Sequence, residues 1–188
     1  MKSFIVSVCL LAFFAHTPIF ASEALPADSI YQLQASFQDQ QDRSFQLAER
    51  RGRPQLVAMF YTSCKYVCPL IIDSVKGVEH GLTAAEREGL DFLLVSIDPA
   101  RDDVAALASV AKKRKLDAHW TLARTDERAV RKLAALLGVR YRALEDGEFN
   151  HTSTLYLLDA QGRKLTSSSK LGTVPDPEFV AKVRAALN

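Results

Sequence analysis

Gln55-Leu56-Val57-Ala58-Met59-Phe60 carries no charge, and its apolar residues are consecutive rather than alternating. A short run of this kind predicts a strand covered on both faces. Four positions after it stands Cys64, then Cys68 and Pro69, and a helical stretch is expected over residues 70–88. Strands and helices then alternate. Residues 90–97 read as a second buried strand, closed by Asp98-Pro99, and residues 102–115 as a helix. A short strand at 120–123 precedes a helix over 126–137, with Gly138 as its C-terminal cap. The chain finishes with an alternating strand at 152–158, a turn at 159–162, a partner strand at 164–168 and a helix at 177–187.

Upstream, the short segments 30–35 and 44–47 flank the polar stretch 38–43 and predict a β-hairpin. The order is therefore hairpin, β-α-β-α-β-α, then β-β-α, an α/β chain with a mixed central sheet flanked by helices. A cysteine pair that ends the first buried strand and opens a helix makes the expected architecture thioredoxin-like, with the hairpin as an N-terminal extension. The helix over 102–115 has Asp102 and Asp103 near its start and Lys112, Lys113, Arg114 and Lys115 near its end. That polarity suits the helix dipole, and the basic run reads as a solvated helix end.

The first residues follow another logic. Met1-Lys2 is positive, residues 4–15 form an apolar run without charge, and Ala21 precedes Ser22. This layout predicts a secretory signal peptide over 1–21, a linker over 22–29 and one domain over 30–188. An uncleaved anchor is the alternative, and it would be the only contact with a membrane. Either way the domain is expected in the periplasm, soluble or anchored, and as a monomer. Cys9 lies in the apolar run and leaves with the signal, so of three cysteines only Cys64 and Cys68 remain. Removal of Lys2 lowers the formal charge from +2 to +1, too near neutral for a nucleic-acid binder.

Cys64 and Cys68 are spaced as Cys-x-x-x-Cys, not with the two intervening residues of a general thiol–disulfide oxidoreductase. Residues i and i+4 of a helix hold their Cβ atoms about 5–6 Å apart, whereas a disulfide wants roughly 3.5–4.5 Å. Two sulfurs sharing one metal ion need stand only about 4 Å apart. The spacing thus tolerates a bridge and suits a metal clip better. Two thiolates favour a soft ion such as Cu(I) and call for a further ligand. The candidates are His80, His119, His151 and the single mature methionine, Met59. His119, at a strand start, reads as a hydrogen-bonded structural histidine, and His151 stands in a loop that can face the cysteine helix.

Three segments together resemble the Sco/SenC family: residues 60–69 with Cys64-Lys65-Tyr66-Val67-Cys68-Pro69, residues 95–102 with Ser96-Ile97-Asp98-Pro99-Ala100-Arg101-Asp102, and Asn150-His151-Thr152-Ser153. The resemblance implies a copper-handling protein of thioredoxin-like fold, tied to assembly of the copper-A centre of cytochrome c oxidase. It implies that Cys64, Cys68 and His151 bind copper, and that the partner is the copper-A subunit or another copper or thiol protein. Two positions depart from the family pattern. Lys65-Tyr66 stands where Pro-Asp is usual, and Asn150 replaces an aspartate. Lys65 should lower the thiol pKa values and weaken retention of a cation.

The leading expectation is a periplasmic copper metallochaperone that works by binding and transfer. The alternative is a thiol–disulfide reductase acting on a copper-site partner, with Cys64 and Cys68 redox-active and Cys64 the attacking thiolate. No proline lies between Pro99 and Pro175, so the cis-proline of a general thioredoxin is missing opposite the cysteines. A peroxiredoxin is disfavoured because Thr62 stands two residues before Cys64. A purely structural bridge between residues this close would remove little chain entropy.

Overall fold

The computed structural model describes residues 24–64 and 67–188. The expected signal segment and the Lys65-Tyr66 pair lie outside the described residues. Among the described residues the α-helices are α1 (Val67–His80), α2 (Ala84–Glu88), α3 (Val104–Arg114), α4 (Glu127–Leu137) and α5 (Pro177–Leu187). The strands are β1 (Ser36–Asp39), β2 (Ser44–Gln46), β3 (Gln55–Phe60), β4 (Asp91–Ser96), β5 (Trp120–Arg124), β6 (Tyr141–Ala143), β7 (Phe149–His151), β8 (Leu155–Leu158) and β9 (Lys164–Ser168).

Seven strands form one mixed sheet in the order β2-β1-β5-β4-β3-β8-β9. The central strands β3, β4 and β5 run parallel, while β8 and β1 pair antiparallel to β3 and β5. All six residues of β3 are buried, as its unbroken apolar run requires of a strand packed on both faces. Its neighbour β4 is buried from Phe92 onward. The thioredoxin-like expectation holds, and the predicted hairpin extends the sheet at its β5 edge. No helix among the described residues is long and apolar enough to cross a membrane.

Helix boundaries follow their caps. Asp103 and Asp126 accept hydrogen bonds from the amides of Ala106 and Ala129 and start α3 and α4. Gly138, at φ +81°, ends α4 in the left-handed region that glycine enters without a Cβ penalty.

Three boundaries differ from expectation. Residues 30–35 are not the first hairpin arm: Ile30–Gln32 form a 3₁₀ turn capped by the Ser29 hydroxyl, and the arm is β1. Ile30 and Tyr31 are both buried, so this segment turns into the core instead of alternating across a sheet. The helix expected over 70–88 breaks at Gly81, and α2 restarts on a reciprocal Thr83–Glu86 capping box. The strand expected over 152–158 is only β8, because β6 and β7 form a separate antiparallel pair. His151 is therefore the last residue of a strand, not a loop residue. The β6–β7 pair is short and largely exposed, which hid it from a reading of apolar periodicity.

Candidate metal centre

The end of β3 and the start of α1 bring the cysteines together. Cys68 sits in the first turn of α1 and is buried, whereas Cys64 is half-buried in the preceding loop, and the two are not bridged. Cys64 Sγ accepts the Cys68 N–H at 3.3 Å, and Cys68 Sγ accepts the Tyr61 N–H at 3.3 Å. A helix-start donor thus points at Cys64, and a backbone donor from the end of β3 points at Cys68. For Cys68 this does not produce the low pKa expected of a helix-start thiol. Burial pushes that thiol well up, the Tyr61 N–H opposes it, and the neighbouring Cys64 and Asp102 add to the rise. A cation bound between the sulfurs would reverse that balance, because it compensates the thiolate charge that burial penalises.

The loop between β3 and the cysteines is tied down by a buried carboxylate. Asp102, 0% exposed, accepts the Thr62 N–H at 3.0 Å, and the Thr62 and Ser96 hydroxyls at 2.5 Å each. The Ser96 oxygen in turn accepts the Asp98 N–H at 3.0 Å. Burial raises the Asp102 pKa, and these hydrogen bonds partly offset the rise. The Ser96–Asp102 turn therefore locks the strand ends that carry the cysteine loop.

His151 arrives from the other side. Its Nε2 lies 3.9 Å from Cys68 Sγ. Its Nδ1 lies 3.2 Å from the Thr152 carbonyl, which can only accept, so Nδ1 carries the proton and Nε2 presents its lone pair. Burial lowers the His151 pKa, opposed by the Thr152 bond, so the imidazole is held in the neutral form a metal needs. A sulfur at about 2.3 Å and a nitrogen at about 2.0 Å from one ion stand roughly 3.7 Å apart at a trigonal angle and about 4.3 Å apart when opposite. The observed 3.9 Å falls inside that span. Among the described residues no three His, Cys, Asp or Glu side chains are already gathered into a closed metal site. Cys68 and His151 are thus within bridging distance, with Cys64 at the open side.

Tyr61 links the two halves. Its hydroxyl donates to Glu148 Oε2 at 2.8 Å and accepts the Phe149 N–H at 3.2 Å, while its ring meets the His151 and Phe149 rings edge-on at 5.8 and 5.3 Å. Arg101, paired with Asp98, donates to the Gly147 carbonyl at 2.6 Å and lies over the Phe149 ring. Gly147, at φ +81°, closes the β6–β7 turn in a conformation that a side chain would strain.

The other candidates lie elsewhere. His119 faces Glu88 and Asp91 at 3.6 and 3.5 Å, a structural contact, and Met59 is buried within β3. His80 ends α1, away from the cysteines. A groove of about 330 Å³ opens beside Cys64 and Cys68. A larger one of about 790 Å³ lies between β1 and the β6–β7 pair and includes neither cysteine.

The sequence profile of the SCO1/SenC family matches residues 26–188. The chain belongs to the SCO1/SenC family. Among solved structures it is similar to a SCO1/SenC family lipoprotein from Bacillus anthracis, with TM-score 0.73 and 19% identity over 81% of this chain and 92% of that one. Bradyrhizobium japonicum ScoI with copper bound matches at TM-score 0.68 and 22% identity, over 81% and 96% of the two chains. A curated relative, the "Putative copper-binding protein" of Stutzerimonas stutzeri, is 33% identical over 64 residues, 34% of this chain and 31% of its own length. The chain thus spans about a third of that relative.

In this SCO1/SenC chain, sequence reasoning singled out Cys64, Cys68 and His151 but not Tyr61, Glu148 or Phe149. Tyr61 follows the apolar run directly and reads as its continuation. Only the tertiary placement of Glu148, 87 residues away, shows a use for its hydroxyl.

Proposed function

We propose that this protein binds copper as cargo through Cys64, Cys68 and His151 and hands it on by ligand exchange, toward maturation of a cytochrome c oxidase copper-A site. The observation that carries the reading is the approach of Cys68 Sγ to His151 Nε2 at 3.9 Å, with the imidazole proton held on Nδ1 by Thr152. Family membership and the copper-bound ScoI neighbour support copper as the ion. Two thiolates and one neutral imidazole form a soft donor set suited to Cu(I), and the imidazole also accommodates Cu(II). An open site with accessible Cys64 lets an incoming thiolate or imidazole replace one ligand at a time. The apolar amino-terminal segment of the sequence supports a periplasmic protein, soluble or anchored, and the reading is of a monomer.

Copper titration of the reduced protein, read by mass spectrometry under non-denaturing conditions, tests this. One copper per chain is expected, with loss of that capacity in Cys64→Ser and Cys68→Ser and weakened retention in His151→Ala. Absence of bound copper in the parent protein would overturn the reading.

One observation favours a second reading, reduction of a partner's copper-ligand cysteines. Cys64 is half-buried and Cys68 buried behind it, the asymmetry of an attacking and a resolving thiol. Turnover against a disulfide substrate that survives His151→Ala but not Cys64→Ser would favour this reductase.

A further inference from the structure

The basic run at the end of α3, which the sequence presents as a solvated helix end, borders the cysteine site in three dimensions. The groove beside Cys64 and Cys68 is walled by the apolar side chains of Phe60, Ile72 and Val110, and Lys113 and Arg114 form its rim. The same two residues line a second groove of about 370 Å³, together with Lys76, Lys115 and His80. The two grooves adjoin at Lys113 and Arg114, so a cationic surface borders the groove that holds the sulfurs. The second groove holds four cations and one carboxylate, Asp73, a formal +3 with His80 neutral, in a chain whose total is only +2.

These cations divide into two kinds. Arg114 pairs with Asp73, and Lys76 Nζ donates to the Arg114 carbonyl at 2.9 Å, so both are engaged in the fold. Lys113 and Lys115 make no ion pair among the described residues. Lys115 also occupies the left-handed region, at φ 52°, where glycine would cost less.

We propose that these adjoining grooves dock an acidic protein loop: a segment carrying a sulfur ligand or thiol, flanked by Asp or Glu side chains that meet Lys113 and Lys115 while its sulfur reaches Cys64. Charge complementarity selects the occupant. An apolar slot ending on a nucleophilic sulfur, with free cations at its outer end, fits an extended acidic segment better than a flat lipid surface. The role deepens the proposed transfer function and rests on that reading for what is exchanged. Its test uses the thiol chemistry alone, so the two can fail separately.

The probe is a pair of short peptides of equal length, one with a central cysteine flanked by Asp and Glu, the other by Lys, each joined as a mixed disulfide to thionitrobenzoate. The Cys64 thiolate of the reduced protein attacks the peptide sulfur. A protein–peptide disulfide forms, the reagent's S–S bond breaks, the electron pair leaves on thionitrobenzoate, and the thiol proton goes to solvent. Release of the coloured thiolate gives the rate. The acidic peptide should react roughly tenfold faster at low ionic strength, and the gap should close in about 0.5 M salt. Lys113→Glu/Lys115→Glu should invert the preference and Lys113→Gln/Lys115→Gln should abolish it, with circular dichroism and thermal midpoint confirming the fold. Copper capacity should be unchanged in both variants, and a parent that binds no copper yet prefers the acidic peptide would sink the transfer reading alone. Equal rates for the two peptides, or a preference that survives both double variants, would overturn the docking proposal. So would the absence of a preference together with binding to phosphatidylglycerol vesicles that the double variants lose, which would make the patch a lipid contact.

Discussion

The two halves of the candidate centre are built in different ways. The cysteine loop grows out of β3, the most buried strand, and is tied by Asp102, which accepts hydrogen bonds from Thr62 and Ser96 and is wholly buried. The histidine comes from β6–β7, a three-residue pair outside the main sheet, held against the site by Tyr61 and Arg101. One half is part of the core, and the other leans on it through a few side chains. Under the proposed transfer function this division would be useful: the sulfurs would stay organised while the imidazole arm yielded at a cost of a few hydrogen bonds.

Removing the core anchor should have the largest effect on this contrast. Asp102→Ala leaves the Thr62 N–H without its acceptor and opens a cavity, so it should cost about 2–4 kcal/mol of stability. Urea denaturation should record a lower midpoint with an unchanged slope. Tyr61→Phe addresses the other half. Loss of its bonds to Glu148 and Phe149 should cost about 1 kcal/mol globally. Amide exchange should quicken at Phe149 and His151 while remaining slow in β3 and β4. An equal increase in both sheets would erase the distinction between core and arm. Arg101→Gln, which removes a partly exposed ion pair and the contact with Phe149, should cost no more than about 1 kcal/mol, with faster exchange again confined to β6–β7.

The smallest effect is one of pH. Burial raises the Asp102 pKa, so the folded state binds a proton more readily than the unfolded chain. The stabilising contribution of that proton is present at low pH and is lost as pH rises through the folded-state pKa. Asp102→Asn should lack this dependence, and the difference between parent and variant denaturation midpoints across the acid range measures it.

Much of the core half was legible in the sequence, for a physical reason. Unbroken apolar residues in Gln55–Phe60 leave no choice but a strand buried on both faces, and the cysteines follow it directly. The caps of α3 and α4 are equally local, since Asp103, Asp126 and Gly138 act within one turn. The histidine arm was not legible, because β6 and β7 carry little apolar periodicity and are held by contacts distant in sequence. Tyr61 and Glu148 are 87 residues apart, and Arg101 and Gly147 are 46 apart. The lowered thiol pKa expected of this pair failed at Cys68 because desolvation by burial outweighs the Tyr61 N–H that opposes it. The basic run of α3 is a solvated helix end as read, with Lys112, Lys113 and Lys115 exposed, whereas its position beside the cysteine groove depends on tertiary packing.

X-ray absorption spectroscopy of the copper-loaded protein, compared with His151→Ala, most directly tests the claim that core and arm close on one ion. The account predicts two sulfur neighbours and one nitrogen neighbour in the parent, with the nitrogen lost and both sulfurs kept in the variant. A parent spectrum with sulfur neighbours only, or an identical spectrum in the variant, would contradict it.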